Sequence, residues 1–121
     1  MCDKYLPLEI LVALCYNINM QNEKSVPHYK LADIQKLIQQ EKYRITKLAQ
    51  DNARLDFDIG TKEIIDLILT LDNTNFYKSM TSIYDYTIWQ DVYHLDMGKD
   101  FAYIKLQITS DKSVIIQFKR K

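Results

Sequence analysis

Residues 101–119, FAYIKLQITSDKSVIIQFK, decide how this chain folds. Ala102, Ile104, Leu106 and Ile108 alternate with Phe101, Tyr103, Lys105 and Gln107, the period-two pattern of a strand with one apolar face. Ser110-Asp111-Lys112 supplies a turn, after which Val114, Ile116 and Phe118 oppose Ile115, Gln117 and Lys119. Working outward, Asp96-Met97-Gly98-Lys99 is a second turn, and Tyr86–Tyr93, YTIWQDVY, is rich in strand formers. Three strands joined by short connections predict an antiparallel meander.

Upstream the period changes to that of helices. Pro27 marks a boundary, and Leu31, Ile34, Leu37 and Ile38 form one helical face ending near Gln40 or Glu41. Tyr43-Arg44-Ile45 reads as a short strand. Thr46 is placed to cap a second helix with a stripe of Leu48, Asn52 and Leu55, which Asp56-Phe57-Asp58 then breaks. Thr61 reads as the cap of a third helix through Leu71, apolar enough (Ile64, Ile65, Leu67, Ile68, Leu69) for burial on most sides. Asp72-Asn73 stops it, and Phe76 and Met80, at i and i+4, predict one further helical turn capped by Thr74 or Asn75. Helices followed by strands give an α+β fold, with the Leu and Ile stripes as core.

The chain has 121 residues, enough for one domain with a core of its own. With Gly60 and Gly98 its only glycines, neither a dinucleotide-binding nor a P-loop phosphate motif can be written. Net charge is zero but unevenly spread. Residues 1–47 carry a net +2, residues 48–100 a net −6 and residues 101–121 a net +4. The C-terminal stretch is thus a local attractor for phosphate, reaching about a Debye length of 8–10 Å. The acidic middle offers a face to a basic partner.

Cys2 and Cys15 form no CxxC pair and lie far in sequence from His28 and His94, so a four-ligand zinc site is not expected. Residues 6–16, LPLEILVALCY, are too short for a membrane span, are interrupted by Glu9 and lack a signal-peptide cleavage pattern. They read as a short helix or loose extension. Nothing positions either histidine beside a nucleophile, and neither HExxH nor EF-hand spacing occurs. The polar strand face is different. RNA carries its own 2′-OH nucleophile, so cleaving it requires only moving a proton, orienting the phosphodiester and stabilising the phosphorane. Lys, Tyr and Gln suffice for that.

Two stretches carry a specific resemblance: Phe76-Tyr77-Lys78-Ser79-Met80-Thr81 and Thr87-Ile88-Trp89-Gln90-Asp91-Val92-Tyr93. With Tyr103-Ile104-Lys105, the ending Phe118-Lys119-Arg120-Lys121, and Pro27-His28, Leu31 and Lys36-Leu37-Ile38 upstream, the chain resembles the MqsR family. These are the motility quorum-sensing regulator toxins of bacterial type II toxin–antitoxin modules. The resemblance runs in order through residues 22–121. It implies a RelE-like α+β fold and metal-independent, cofactor-free cleavage of mRNA at short GC-pyrimidine sequences such as GCU, in the cytoplasm. It also implies an MqsA-like antitoxin with a zinc-binding domain and a helix-turn-helix domain. The zinc would belong to that partner, and DNA would be met only through it.

Carried over by position, the family's catalytic residues fall on Lys78, Gln90, Tyr103 and Lys119. Lys78 and Lys119 would hold phosphate. Tyr103 would relay a proton or stack on a base, and Gln90 would orient the phosphate or a 2′-OH. Lys105, Gln117, Arg120 and Lys121 would bind RNA. Structural roles compete: Tyr103 as a packing aromatic, Gln90 as a bonded core amide, and Phe76, Met80 and Trp89 as core. The chain departs from the family at Tyr86, where members carry His, and at His94-Leu95, where they carry Arg-Pro. Its last hairpin is one residue longer. Residues 1–19 have no counterpart and form an N-terminal extension; 20–121 is the expected toxin domain, with Met20 a candidate start. The alternatives are an RNA- or antitoxin-binding module without catalysis, and a RelE-type nuclease that cuts only on the ribosome.

Overall fold

The computed structural model describes residues 21–121, so the expectation for residues 6–16 lies outside the described residues. Its elements are β1 (Glu23–Lys24), α1 (Leu31–Gln39), β2 (Tyr43–Ile45), α2 (Lys47–Phe57) and α3 (Thr61–Thr70). A 3₁₀ turn (Asn73–Asn75) follows, then β3 (Phe76–Thr81), β4 (Trp89–Asp96), β5 (Phe101–Ile108) and β6 (Val114–Arg120). The strands form one sheet in the order β1-β3-β4-β5-β6-β2. The four long strands are an antiparallel meander. β1 joins one edge antiparallel to β3, and β2 the other parallel to β6. The fold is α+β.

One sheet face is apolar as the alternation requires. Ala102, Ile104, Leu106, Val114, Ile116 and Phe118 are buried there with Tyr93, against Leu31, Ile34 and Ile38 of α1 and Ile64 and Ile68 of α3. Burying these chains is the main force that holds the helices to the sheet. The Gln35 amide donates to the Ile68 and Leu71 carbonyls (3.1 and 3.0 Å), so α1 satisfies part of the C-terminus of α3.

Helix α2 corrects the expected stripe. Thr46 caps it, accepting from the Ala49 N–H at 3.1 Å, and Asp58 ends it in the left-handed region. Its buried residues, however, are Ala49 and Ala53, whereas Leu48 and Leu55 are 69% and 81% exposed. The reason is position. β2 stops at Ile45, and α2 takes over that edge of the sheet beside the C-terminal half of β6. Thr46 N–H donates to Ile116 O there, and the Asn52 amide to Phe118 O. Such close approach admits only small side chains, with Phe57 meeting Phe118 edge-on at the far end.

Four smaller expectations also change. Gly60, not Thr61, is the N-cap of α3; its N–H donates to the Glu63 carboxylate at 3.0 Å. Helix α3 buries one face and leaves Ile65, Leu67 and Leu69 partly covered. The expected helical turn at Phe76–Met80 is strand β3, because these residues find a pairing partner in β4 and a local turn does not. A register shift between Phe76 and Lys78 turns Phe76 to the core, edge-on to Tyr93, and Met80 to the opposite face. Strand β4 starts at Trp89; Asp85 holds the preceding turn by accepting from the Thr87 N–H and hydroxyl.

Asp91 explains part of the WQDVY sequence. It is fully buried on the helix side of β4. Its carboxylate accepts from the His28 and Tyr29 N–H groups (3.0 and 2.9 Å) and the Ser79 hydroxyl (2.6 Å). His28 stacks on Trp89, and Lys24 lies over the same indole. The segment entering α1 is thereby fastened to the sheet.

Candidate active site

Register assigns the other sheet face. Lys78 lies opposite Val92, and Val92 opposite Lys105, which faces Gln117. His94 pairs with Tyr103 and Tyr103 with Lys119. Met80 pairs with Gln90 and with Glu23. Residues paired across strands share a face, so Lys78, Gln90, Tyr103, Lys105, Gln117 and Lys119 lie together. Lys78 on β3 and Lys119 on β6 are three strands apart, about 14 Å by strand spacing. Arg120 pairs with Ala102 and therefore turns to the other face, where it meets Asp100 at 3.7 Å. Lys121 lies over Phe101 at the end of the site face.

Gln90 resolves an ambiguity in the sequence. It is buried, yet on the site face, and its amide donates to Gln107 Oε1 at 3.3 Å. Val92, also on this face, is fully buried between Lys78 and Lys105 in register, whose methylene stems can cover it while the ammonium groups stay wet. Met80 underlies Tyr103, with its sulfur 3.8 Å from the phenol oxygen. Tyr77 stacks on His94 at 4.2 Å, and His94 leans on Tyr103 at 5.6 Å. Lys119 sits over the Tyr103 ring at 5.0 Å.

The titrating groups are driven apart. Lys105 is held below the usual lysine range, first by burial and then by Lys119 and Lys78. Tyr103 is pushed up by burial, an effect that Lys78 partly offsets. Lys78 is pushed up because its ammonium donates to Glu23 at 2.6 Å. His94 is lowered by burial and by Lys121. Around neutral pH the face therefore offers an ammonium at Lys78, a protonated phenol at Tyr103, and at Lys105 an amine more readily deprotonated than a free lysine.

Glu23 was not legible as a site residue. It stands on a two-residue strand whose sequence shows no motif, and only the pairing of β1 with β3 brings it to Lys78. The flank of α2 likewise departs from the core role its stripe predicts. Leu48 and Asn52 instead wall a groove of about 210 Å³ floored by Tyr103, Lys105, Gln117 and Lys119. A larger depression of about 720 Å³, lined by residues such as His28, Lys30, Gln35 and Asp72, lies at the start of α1 and includes none of the sheet-face lysines. Chemistry, not size, singles out the groove.

Comparison with known proteins agrees with the motifs. A family model described as the motility quorum-sensing regulator, toxin of MqsA, matches residues 26–120. The chain is 38% identical over 102 residues to the mRNA interferase toxin MqsR of Escherichia coli (strain K12), a match covering 82% of this chain and 99% of that protein.

Proposed function

The chain belongs to the motility quorum-sensing regulator family of toxins, and on that footing we propose that it is an endoribonuclease that cleaves mRNA without a metal ion, arresting translation and growth. The observation that carries this is the sharing of one sheet face by Lys78, Tyr103, Lys105 and Lys119, with Gln90 beside them. The proposed targets are GC-pyrimidine sites such as GCU, cut in the cytoplasm. The proposed fold relationship is to RelE, with residues 20–121 as the toxin domain and residues 1–19 as an N-terminal extension. An MqsA-like antitoxin with zinc-binding and helix-turn-helix domains would hold the toxin in check.

The roles follow from the electrostatics. Lys105, the lysine with the lowered proton affinity, takes the proton from a 2′-OH. The 2′-oxygen bonds to the adjacent phosphorus and the bond to the 5′-oxygen breaks. Tyr103, which keeps its proton at neutral pH, supplies one to that leaving oxygen. Lys78 and Lys119 flank the phosphorane and neutralise its charge. Gln90, tethered to Gln107, orients the strand. Gln117 and Lys121 extend the contact, and Arg120 reaches RNA only from the far side of the sheet edge. The products are a 2′,3′-cyclic phosphate and a 5′-hydroxyl.

Incubating the purified protein with a defined naked transcript and a chelator tests this. Discrete cuts with cyclic phosphate ends are expected, slowed about 10²–10³-fold by Lys78→Ala or Tyr103→Phe. The rate should climb with pH at values below an ordinary lysine's, and Lys105→Arg should remove that rise. Binding without cutting would leave only a binding module; cutting only on translating ribosomes would make it ribosome-dependent.

A further inference from the structure

We propose that the groove between α2 and the polar sheet face is a nucleobase subsite, in which Asn52 reads the exocyclic amino group of the base next to the cut. This rests on the ribonuclease reading and adds a recognition site to it. The groove's two sides are chemically unlike. Leu48, 69% exposed, forms an apolar flank, the surface that a base's flat face covers at little cost. The floor is polar, with Lys105 and Gln117 paired across β5 and β6. At about 210 Å³ the groove has room for one base and not for a base pair.

Asn52 supplies the selectivity. Its Nδ2 donates to Phe118 O at 3.1 Å, which fixes the amide and leaves Oδ1 as an acceptor without a donor among the described residues. A fixed acceptor favours the amino groups of cytosine, adenine or guanine. Uracil, which has no amino group, can offer it only the single N3–H, flanked on both sides by the O2 and O4 acceptors that Oδ1 repels. The lysines beside the groove argue for this occupant over a peptide. Lys119, which flanks the phosphorane, and Lys105, which meets the 2′-OH, both line it, so a polynucleotide reacting there places its neighbouring base at the α2 wall.

Two measurements test the subsite. Titrating the wild-type protein with the four nucleoside 3′-monophosphates should show uridine monophosphate binding about tenfold more weakly than the other three; equal affinities overturn the proposal. Mapping cuts across a long transcript should show Asn52→Ala and Leu48→Ser losing base preference at one position beside the cut, while Leu55→Ala, on the same helix outside the groove, keeps the wild-type pattern. A uniform slowing at all sites with unchanged preference would make Asn52 merely structural and overturn the proposal. A wild-type protein that cuts no RNA would overturn the ribonuclease reading itself, whereas a wild-type cutter with indifferent variants overturns only the subsite.

Discussion

Glu23 and Lys78 meet at 2.6 Å in a place where a phosphate is expected to bind, so carboxylate and substrate compete for one ammonium. Partly exposed pairs of this kind contribute little to stability, which shifts the interest of Glu23 from folding to binding. Glu23→Gln removes a charge that repels phosphate and frees Lys78, whose proton affinity then relaxes toward that of an ordinary lysine while it stays charged at neutral pH. On a Tyr103→Phe background, single-stranded RNA is expected to bind several-fold tighter, with the slope of log affinity against log salt steeper by about 0.7 for one further neutralised phosphate. Unchanged or weaker binding would show that Glu23 assists the substrate and does not compete with it.

At the scale of elements, β4 does two jobs with alternate residues. Gln90, Val92 and His94 build the site face, while Asp91 reaches back to fasten the segment before α1. Asp91→Ala would leave the buried Ser79 hydroxyl and the part-buried His28 and Tyr29 N–H groups without their acceptor. The expected cost is about 3 kcal/mol, or roughly 10–20 °C in Tm for a domain of this size, measured by thermal unfolding monitored by circular dichroism. A loss below a few degrees would mean that water replaces the carboxylate. Helix α2 is also used twice. Ala49 and Ala53 close on β6, and the adjoining flank, with Leu48 and Asn52, becomes the wall of the groove.

The whole molecule couples its stability to pH through His28 and His94. Both are lowered in the folded state, His28 by burial and then Lys24, and His94 by burial and then Lys121. The unfolded chain therefore binds more protons than the folded one just below the free histidine value of 6.5. Stability is expected to fall as pH drops through 6.5 toward the folded values and then to level. Urea midpoints at pH 7.5 and 5.5 read the change, and a His28→Gln, His94→Gln double variant should flatten it. A midpoint that rises on acidification contradicts the sign. Asp72 and Asp85, lowered by hydrogen bonds from Thr74 and Thr87, act in a separate window: their contribution is present above 3.8 and lost only below it.

The sequence by itself determined the meander and its two faces, because a strand's period of two leaves no choice once Ala102, Ile104 and Leu106 must be buried. It determined α1 and the Thr46 cap by the same local logic, and its motifs pointed to Lys78, Gln90, Tyr103 and Lys119 as candidates. Tertiary structure decided the rest. The parallel pairing of β2 with β6, the capture of Phe76–Thr81 as a strand and the burial of alanines in place of leucines on α2 all depend on which distant segment lies alongside. So do the approach of Glu23 to Lys78 and the groove beneath Leu48 and Asn52. Local pattern fixes which way a side chain points along its own element; what it points at is set by long-range packing, which no short window of sequence contains.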